Sequence, residues 1–444
     1  MSANPLAINI QDLNVRVAGR QLLKSASLEV PSGEVVLLVG LSGSGKSVTL
    51  KLLLGLINAA TKPFEISGTI ELCGDPLPGA ASQHAGIVFQ DFGLLDEWTT
   101  RENLEFGLDH RRGARPSGEA GKAIVDGLLN ELNLDGSLRT TALSGGMKQR
   151  CAIARTLAHD PDIIFYDEPT SGLDPAMSAQ VAERIKKTNR EHAKTSFIVT
   201  HDLGSLSGIA DRIILLDPVR KSFHEIAKEN VDVVMAELTT SAALDDNIVP
   251  RKSSVGVRLK EFFTASGRSL EAGAIGLLSL VPRWPRFKWG FRYLVYYLRL
   301  GTFGSALAYV AICGFILGLI ITWFTFSFLP FKTYTEPLLI DNVIGAIGFS
   351  LYRIMVPGMV AMLVAARSGA AIAADVGNRV YTRQTDAMRS FGIEPNRYLL
   401  TNILWAHLIG MPVLIAVNYV CARAGSLVVF AAIKPEYSTY FWQT

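Results

Sequence analysis

From Ser305 to Leu329 the chain runs 25 residues without a charged side chain, and about 20 apolar residues suffice for a helix to cross the hydrocarbon core of a bilayer. A globular core helix is seldom so uniformly apolar, so this stretch commits the second half of the chain to a membrane-spanning helix. Val343 to Ala366 carries one charge, Arg353, and Ile403 to Ala422 carries none; both are expected to be further spans. Arg353 inside a span either serves function or, more simply, snorkels or lines a dimer interface. Basic residues orient the spans: Arg367, Arg379, Arg383, Arg389 and Arg397 follow the second, whereas the connection after Leu329 holds only Lys332. The arginine-rich segment is therefore expected on the cytosolic side.

The first half is different. From Ala7 to about Asp217, short β-branched runs alternate with helix-like stretches, the pattern of a largely parallel sheet joined by crossover helices. The clearest strands are Val35–Val39, Ile87–Gln90, Ile163–Asp167, Ser196–Thr200 and Arg212–Leu216. At 444 residues the chain exceeds what one hydrophobic core usually holds. A mean hydropathy of +0.27 with 19% charged residues is too apolar for an ordinary soluble protein. The polar stretch between Leu238 and Ser254, broken by Pro250, suits a linker. The expected organisation is thus a first domain over 1–240, a linker over 241–254, an amphipathic interfacial helix over 255–287 and a membrane domain over 288–444. That helix rests on Leu259, Phe262, Phe263, Leu270, Leu277, Leu278 and Val281 at helical spacing. The following PRWPRFKWGFRYLVYYLR mixes Arg and Lys with Trp284, Trp289 and tyrosines, a mixture that favours a membrane interface over packing on the first domain.

A net charge of +3 is too mild for a nucleic-acid surface. Cys73, Cys151, Cys313 and Cys421 lie far apart with no Cys-x-x-Cys, which argues against a structural zinc site or a disulfide framework. The N-terminus lacks a basic start followed by an apolar stretch, so the first domain is expected to stay in the cytosol.

Residues 40 to 47 read GLSGSGKS, directly after VVLLV and before a helical stretch. Gly40, Leu41, Ser42, Gly43, Ser44 and Gly45 can close successive backbone N–H groups around phosphates, Lys46 supplies a cation, and Ser47 offers a hydroxyl to magnesium. At 163 to 168, IIFYDE is an apolar strand ending in two carboxylates. Asp167 would support magnesium and Glu168 would polarise the attacking water of phosphoryl transfer. Two acids at a strand end are otherwise commonly a solvated turn; the Lys46 motif sets these apart. In LSGGMKQR, Ser144, Gly145 and Gly146 open a helix whose N–H groups and dipole favour an anion.

In series, these motifs resemble an ATP-binding-cassette (ABC) transporter ATPase from residue 6 to about 240. The resemblance implies an α/β P-loop NTPase with a RecA-like core and a helical subdomain, followed by an all-α transmembrane domain, and it implies ATP and Mg2+ as cofactors. Gln90 matches the family's Q-loop, which senses nucleotide and metal and touches the membrane domain. Asp174 ends SGLD, which resembles the D-loop of the dimer seam, and His201 in IVTHD matches the switch histidine. Because the LSGG segment of one copy completes the ATP site of the other, the family implies a homodimer with two ATPs at its interface. Val15 and Val17 stand where an aromatic usually stacks on adenine, and Met147 replaces the commoner glutamine of the signature.

Residues 367 to 398 resemble the cytoplasmic segment of the permeases that work with MCE proteins, the Mla-type phospholipid transporters of double-membraned bacteria. The pattern is carried by Asp375, Gly377, Gln384, Asp386, Met388, Glu394, Pro395 and Arg397. By that architecture the segment is a coupling element docking beside Gln90. The resemblance implies an inner-membrane, multi-pass transporter of phospholipid or another lipid, served by a periplasmic MCE-domain protein. An exporter of a small molecule, or a membrane-anchored ATPase that assembles partners without transport, are the competing readings. Arg353, Ile354, Met355, Val356 and Pro357 replace the family's Arg-Glu-Leu-Gly-Pro, losing an intramembrane acid. Thr401 and Asn402 replace a Pro-Arg pair, and the family has further spans beyond the point reached at Thr444, so the permease part is expected to be incomplete or a shortened relative.

Overall fold

The computed structural model describes residues 5–58, 61, 63–111, 116, 118–231, 280–328 and 348–435, with 266–267, 273–274, 276, 278 and 345–346. The linker expected at 241–254, most of the helix expected at 255–287, and Lys332 lie outside the described residues. The rest falls into two compact units. One holds the residues up to Val231 together with Arg379–Glu394, and the other holds the remainder.

In chain order the first unit contains β1 (Leu6–Val17), β2 (Arg20–Pro31), β3 (Val35–Val39), α1 (Lys46–Leu53), β4 (Phe64–Leu72), β5 (Asp75–Pro76), α2 (Ala81–His84) and β6 (Ala85–Val88). These are followed by α3 (Thr100–Asp109), α4 (Glu119–Glu131), α5 (Gly145–His159), β7 (Ile163–Asp167), α6 (Pro175–Glu191), β8 (Thr195–Val199), β9 (Arg212–Asp217) and β10 (Ser222–Ile226). Two sheets form, ordered β2-β1-β4-β5 and β10-β9-β3-β8-β7-β6. The second is parallel except for β10 at its edge.

All five residues of β3 are buried, as a strand covered on both faces requires. Its alternation feeds two cores: Val35, Leu37 and Val39 pack with α3 to α6, while Val36 and Leu38 pack with β1, β2 and α1. The antiparallel sheet is thus the cover for one face of the parallel one, a division that the strand pattern alone does not reveal. The strand expected at Ile87–Gln90 ends at Val88, because its pairing with β7 stops at Val88 opposite Tyr166 and the Phe89 carbonyl then accepts the Phe92 N–H in a turn. Helix starts follow capping chemistry. Thr99 and Glu102 form a reciprocal box at α3, Ser144 caps α5, and Asp174 caps α6 with Pro175 next.

The second unit contains α7 (Phe287–Gly301), α8 (Ser305–Phe328), most of α9 (Phe349–Tyr381) and α11 (Leu400–Ile433); α10 (Gln384–Ser390) belongs to the first unit. Among the described residues three helical segments are long and apolar enough to cross a membrane. Two run well past their expected ends at Ala366 and Ala422, since a charged residue such as Arg423 ends an apolar run without ending a helix. Buried Ala306, Val310, Gly314, Gly318, Thr322 and Phe326 recur every fourth residue on α8. A Cβ at Gly318 would strike the Ala422 carbonyl of α11, and one at Gly425 would strike the Phe315 carbonyl of α8. Small residues therefore set the helix separation, as in other membrane bundles. Asn418 adds a 2.9 Å bond from its amide to the Val310 carbonyl.

The aromatics of α7 divide. Phe287 and Phe291 are exposed, whereas Trp289, Tyr293 and Tyr297 are buried. Spacing of four residues gathers Trp289, Tyr293 and Tyr297 on one inward face of α7. Tyr296 and Tyr297 donate their hydroxyls to Asp375 at 2.7 and 3.1 Å, so this acid is held by hydrogen bonds. Arg353 is exposed, with its guanidinium 5.7 Å from the Phe349 ring centre.

Candidate nucleotide site

The loop between β3 and α1 is shaped by two glycines with positive φ, Gly43 at 76° and Gly45 at 108°, a region costly for residues with a Cβ. A Cβ on Gly40 would lie 2.9 Å from the Leu216 carbonyl. Ser42, Gly43 and Ser47 are exposed at the mouth while Ser44 and Lys46 are buried. Lys46 curls back so that its Nζ donates to the carbonyls of Gly40 at 2.7 Å and Leu41 at 3.1 Å. Burial lowers its pKa, and the charges of Glu168 and Asp167 oppose that. The Ser44 N–H is tied to the Leu41 carbonyl, yet its buried Oγ has no partner. The N–H groups of Lys46 and Ser47, opening α1, have no acceptor within the helix. An orphaned hydroxyl, a buried ammonium held only by carbonyls and free helix-end donors fit the phosphates of a nucleotide.

Asp167 ends β7, and burial followed by the neighbouring Glu168 carboxylate raises its pKa; Arg383 and Lys51 act the other way. A half-buried acid pushed toward neutrality by burial and then by a second acid fits a divalent cation, which would reverse that field. Glu168 has left the strand, with φ 49°. Its Oε2 accepts from the His201 backbone N–H at 3.2 Å and from the Thr200 hydroxyl at 3.3 Å, and lies 2.8 Å from His201 Nδ1. All three contacts fall on one oxygen, Oε2.

Lys46, Asp167, Glu168 and His201 are thus gathered. Gln90, in the turn after β6, donates to Ser171 at 3.2 Å, which ties it to the chain just after the two acids. Asp174 is spent on capping, accepting the Met177 N–H at 2.9 Å. Ser144, Gly145 and Gly146 stand apart from this group. Ser144 accepts the Met147 N–H at 3.4 Å, and it lines, with Gly146, Met147, Arg150 and Arg184, a pocket that contains none of the Lys46 group. Val15 is buried in β1, so it is core and offers no face to a base. Sequence reasoning missed Gln149, whose amide donates to the Pro169 carbonyl at 2.9 Å and joins the signature helix to the segment after Glu168; its place inside LSGGMKQR was the available signal.

Arg379–Glu394 packs into this same unit. Gln384 donates to Asp96 at 2.9 Å, and buried Arg379 pairs with Glu97. Burial raises the Asp96 pKa, with Lys148, Arg379 and Gln384 opposing. The Phe391 ring sits 4.8 Å from His159 and 6.2 Å from Phe106 by centroid, with the Arg155 guanidinium 5.5 Å over it. Arg155 also donates to the carbonyls of Phe92 and Gly93, so the socket of Phe391 is braced against the segment that follows Gln90.

Fold and site define a P-loop nucleotide-binding domain carried on a chain with membrane-type helices. The ABC transporter family matches residues 23–171, and the permease MlaE family matches residues 300–444. The Nod factor export ATP-binding protein I of Burkholderia orbicola is 36% identical over 259 residues, 56% of this chain and 81% of that protein. The sulfate/thiosulfate import ATP-binding protein CysA of Bacillus cereus is 35% identical over 220 residues, 48% of this chain and 60% of that protein; the chain thus spans about three fifths of that relative's length. The chain belongs to the ABC transporter family, with an ABC-type ATPase domain fused to a permease domain of the MlaE family.

Proposed function

We propose that this chain is one half of an ATP-driven transporter that moves phospholipid or another lipid at the inner membrane, working as a homodimer and served by a periplasmic MCE-domain protein. The observation that carries this reading is the seating of Arg379–Glu394 in the ATPase unit, on the segment that follows Gln90. A permease-derived element held by an ion pair, an amide bond and an aromatic socket can pass a change at the nucleotide into the spans. The lipid cargo is supported by the permease MlaE match over residues 300–444; the relatives' names specify other cargoes.

In this reading the loop from Gly40 to Ser47 cradles the phosphates. Ser47, Gln90 and Asp167 would hold Mg2+, which would supply positive charge against the phosphates. Lys46 exchanges its bonds to Gly40 and Leu41 for phosphate. Glu168 Oε1 orients the attacking water and accepts its proton, while His201 holds Oε2. Ser144, Gly145 and Gly146 of a second copy close the site, with Asp174 at the seam; their separation from Lys46 within one chain supports a shared site. Reconstituted in nanodiscs, the protein should hydrolyse ATP faster with added phospholipid, and Glu168→Gln should retain ATP while transport stops. Full, non-cooperative hydrolysis by a strict monomer would exclude the shared site. Export of a small hydrophilic compound without any lipid response would exclude the cargo.

A further inference from the structure

We propose that Cys73, His84 and Asp162 form a binding site for a divalent transition cation of the zinc type, at the edge of the ATPase domain away from the nucleotide. Their ligand atoms lie within 4.8 Å of one another. The backbone brings them together from three segments. Cys73 lies in the turn after β4, His84 ends α2 immediately before β6, and Asp162 immediately precedes β7. Ala85 pairs with Ile163 in the parallel register, which sets His84 beside Asp162.

The imidazole is clamped between two acids: Nδ1 is 2.6 Å from Asp162 Oδ2 and Nε2 is 2.9 Å from Asp75 Oδ2. An ionised carboxylate can only accept, so each ring nitrogen is set to donate to an acid. The proton between Nδ1 and Asp162 marks where a metal would sit. With that proton displaced, Nδ1, Asp162 and the Cys73 thiolate become ligands. The remaining Nε2–H stays on Asp75, the carboxylate that fixes ring orientation in metal sites of this kind.

An N, O and S donor set suits zinc and its neighbours and is poor for Mg2+ or Ca2+. Tetrahedral coordination asks for ligand atoms about 3.4 to 3.7 Å apart. Asp162, with its side chain 58% exposed, is free to turn into that arrangement. Burial, then Asp162 and Asp75, push the Cys73 thiol up to about 11, so a cation binding there would have to displace the thiol proton. The site is separate from that of Asp167, since the five residues from Asp162 to Asp167 span about 16 Å along the strand at ~3.3 Å per residue. A bound cation would pin the β4–β5 turn of the antiparallel sheet to the edge of the parallel one.

The test is Co2+ titration of the full chain in detergent, stripped of metal by a chelator and free of nucleotide. One Co2+ should bind with a sulfur-to-cobalt charge-transfer band and the strong visible bands of tetrahedral cobalt. Cys73→Ser should abolish the charge-transfer band. Asp75→Asn should weaken binding roughly 10- to 100-fold, and Cys73→Ser should keep the metal-free melting temperature. Among the residues gathered at the nucleotide site there is no thiol, so cobalt bound there gives no such band. Absence of the band in the unaltered protein, or its survival in Cys73→Ser, overturns the proposal and leaves the Asp75–His84–Asp162 clamp as an ion-pair tie between sheets.

Discussion

Replacing Phe391 with alanine should loosen Arg379–Glu394 from the ATPase unit. Phe391 is 5% exposed and fills a socket made by Phe106, His159 and the Arg155 guanidinium. Truncating a buried Phe to Ala costs about 3–5 kcal/mol through lost burial and the cavity left behind. Each ~1.4 kcal/mol is a factor of ten, so the seated form should lose on the order of a hundred- to several-thousandfold in population. Hydrogen exchange read by mass spectrometry should show faster exchange over residues 384–394, with protection of β3, β7 and β8 unchanged. In nanodiscs the variant should retain basal ATP hydrolysis and lose its stimulation by lipid. Unchanged exchange over 384–394 would refute the socket as the anchor, and full lipid stimulation despite faster exchange would refute its role in coupling.

The raised pKa of Asp167 has a definite pH signature. Its folded-state pKa exceeds the unfolded value, so the group stabilises the fold below the ordinary Asp range, and that contribution is lost as pH rises through the folded pKa. Asp167→Asn should therefore raise the melting temperature of the nucleotide-free protein by a margin that grows from pH 4 to pH 7, while abolishing Mg2+-dependent stabilisation by ATP; a margin that shrinks with pH contradicts the assignment. In the membrane unit, Gly318→Ala forces a Cβ onto the Ala422 carbonyl, whereas a Cβ on Gly358 meets open space. Melting in detergent should fall by several degrees for the first and stay unchanged for Gly358→Ala, an overpacking cost of about 1–3 kcal/mol.

The sequence by itself determined the parts whose physics is local. A phosphate loop between a strand and a helix, adjacent acids at a strand end, a capped glycine-rich helix start and long uncharged runs are each written in a few consecutive residues. Lys46, Asp167 and Glu168 could be singled out for that reason, and His201 only through the resemblance of IVTHD to the ABC family's switch segment. Tertiary structure alone decided what depends on residues far apart in the chain. Arg379 and Glu97 are 282 positions apart, and no periodicity in either segment announces the pair. The inward turn of Trp289 and Tyr293, the end of β6 at Val88, the use of all three Glu168 contacts on Oε2, and the meeting of His84 with Asp162 are of the same kind. Each follows from which strands pair, in which register, and which helix face finds a neighbour, and those choices are made by the burial of the whole chain.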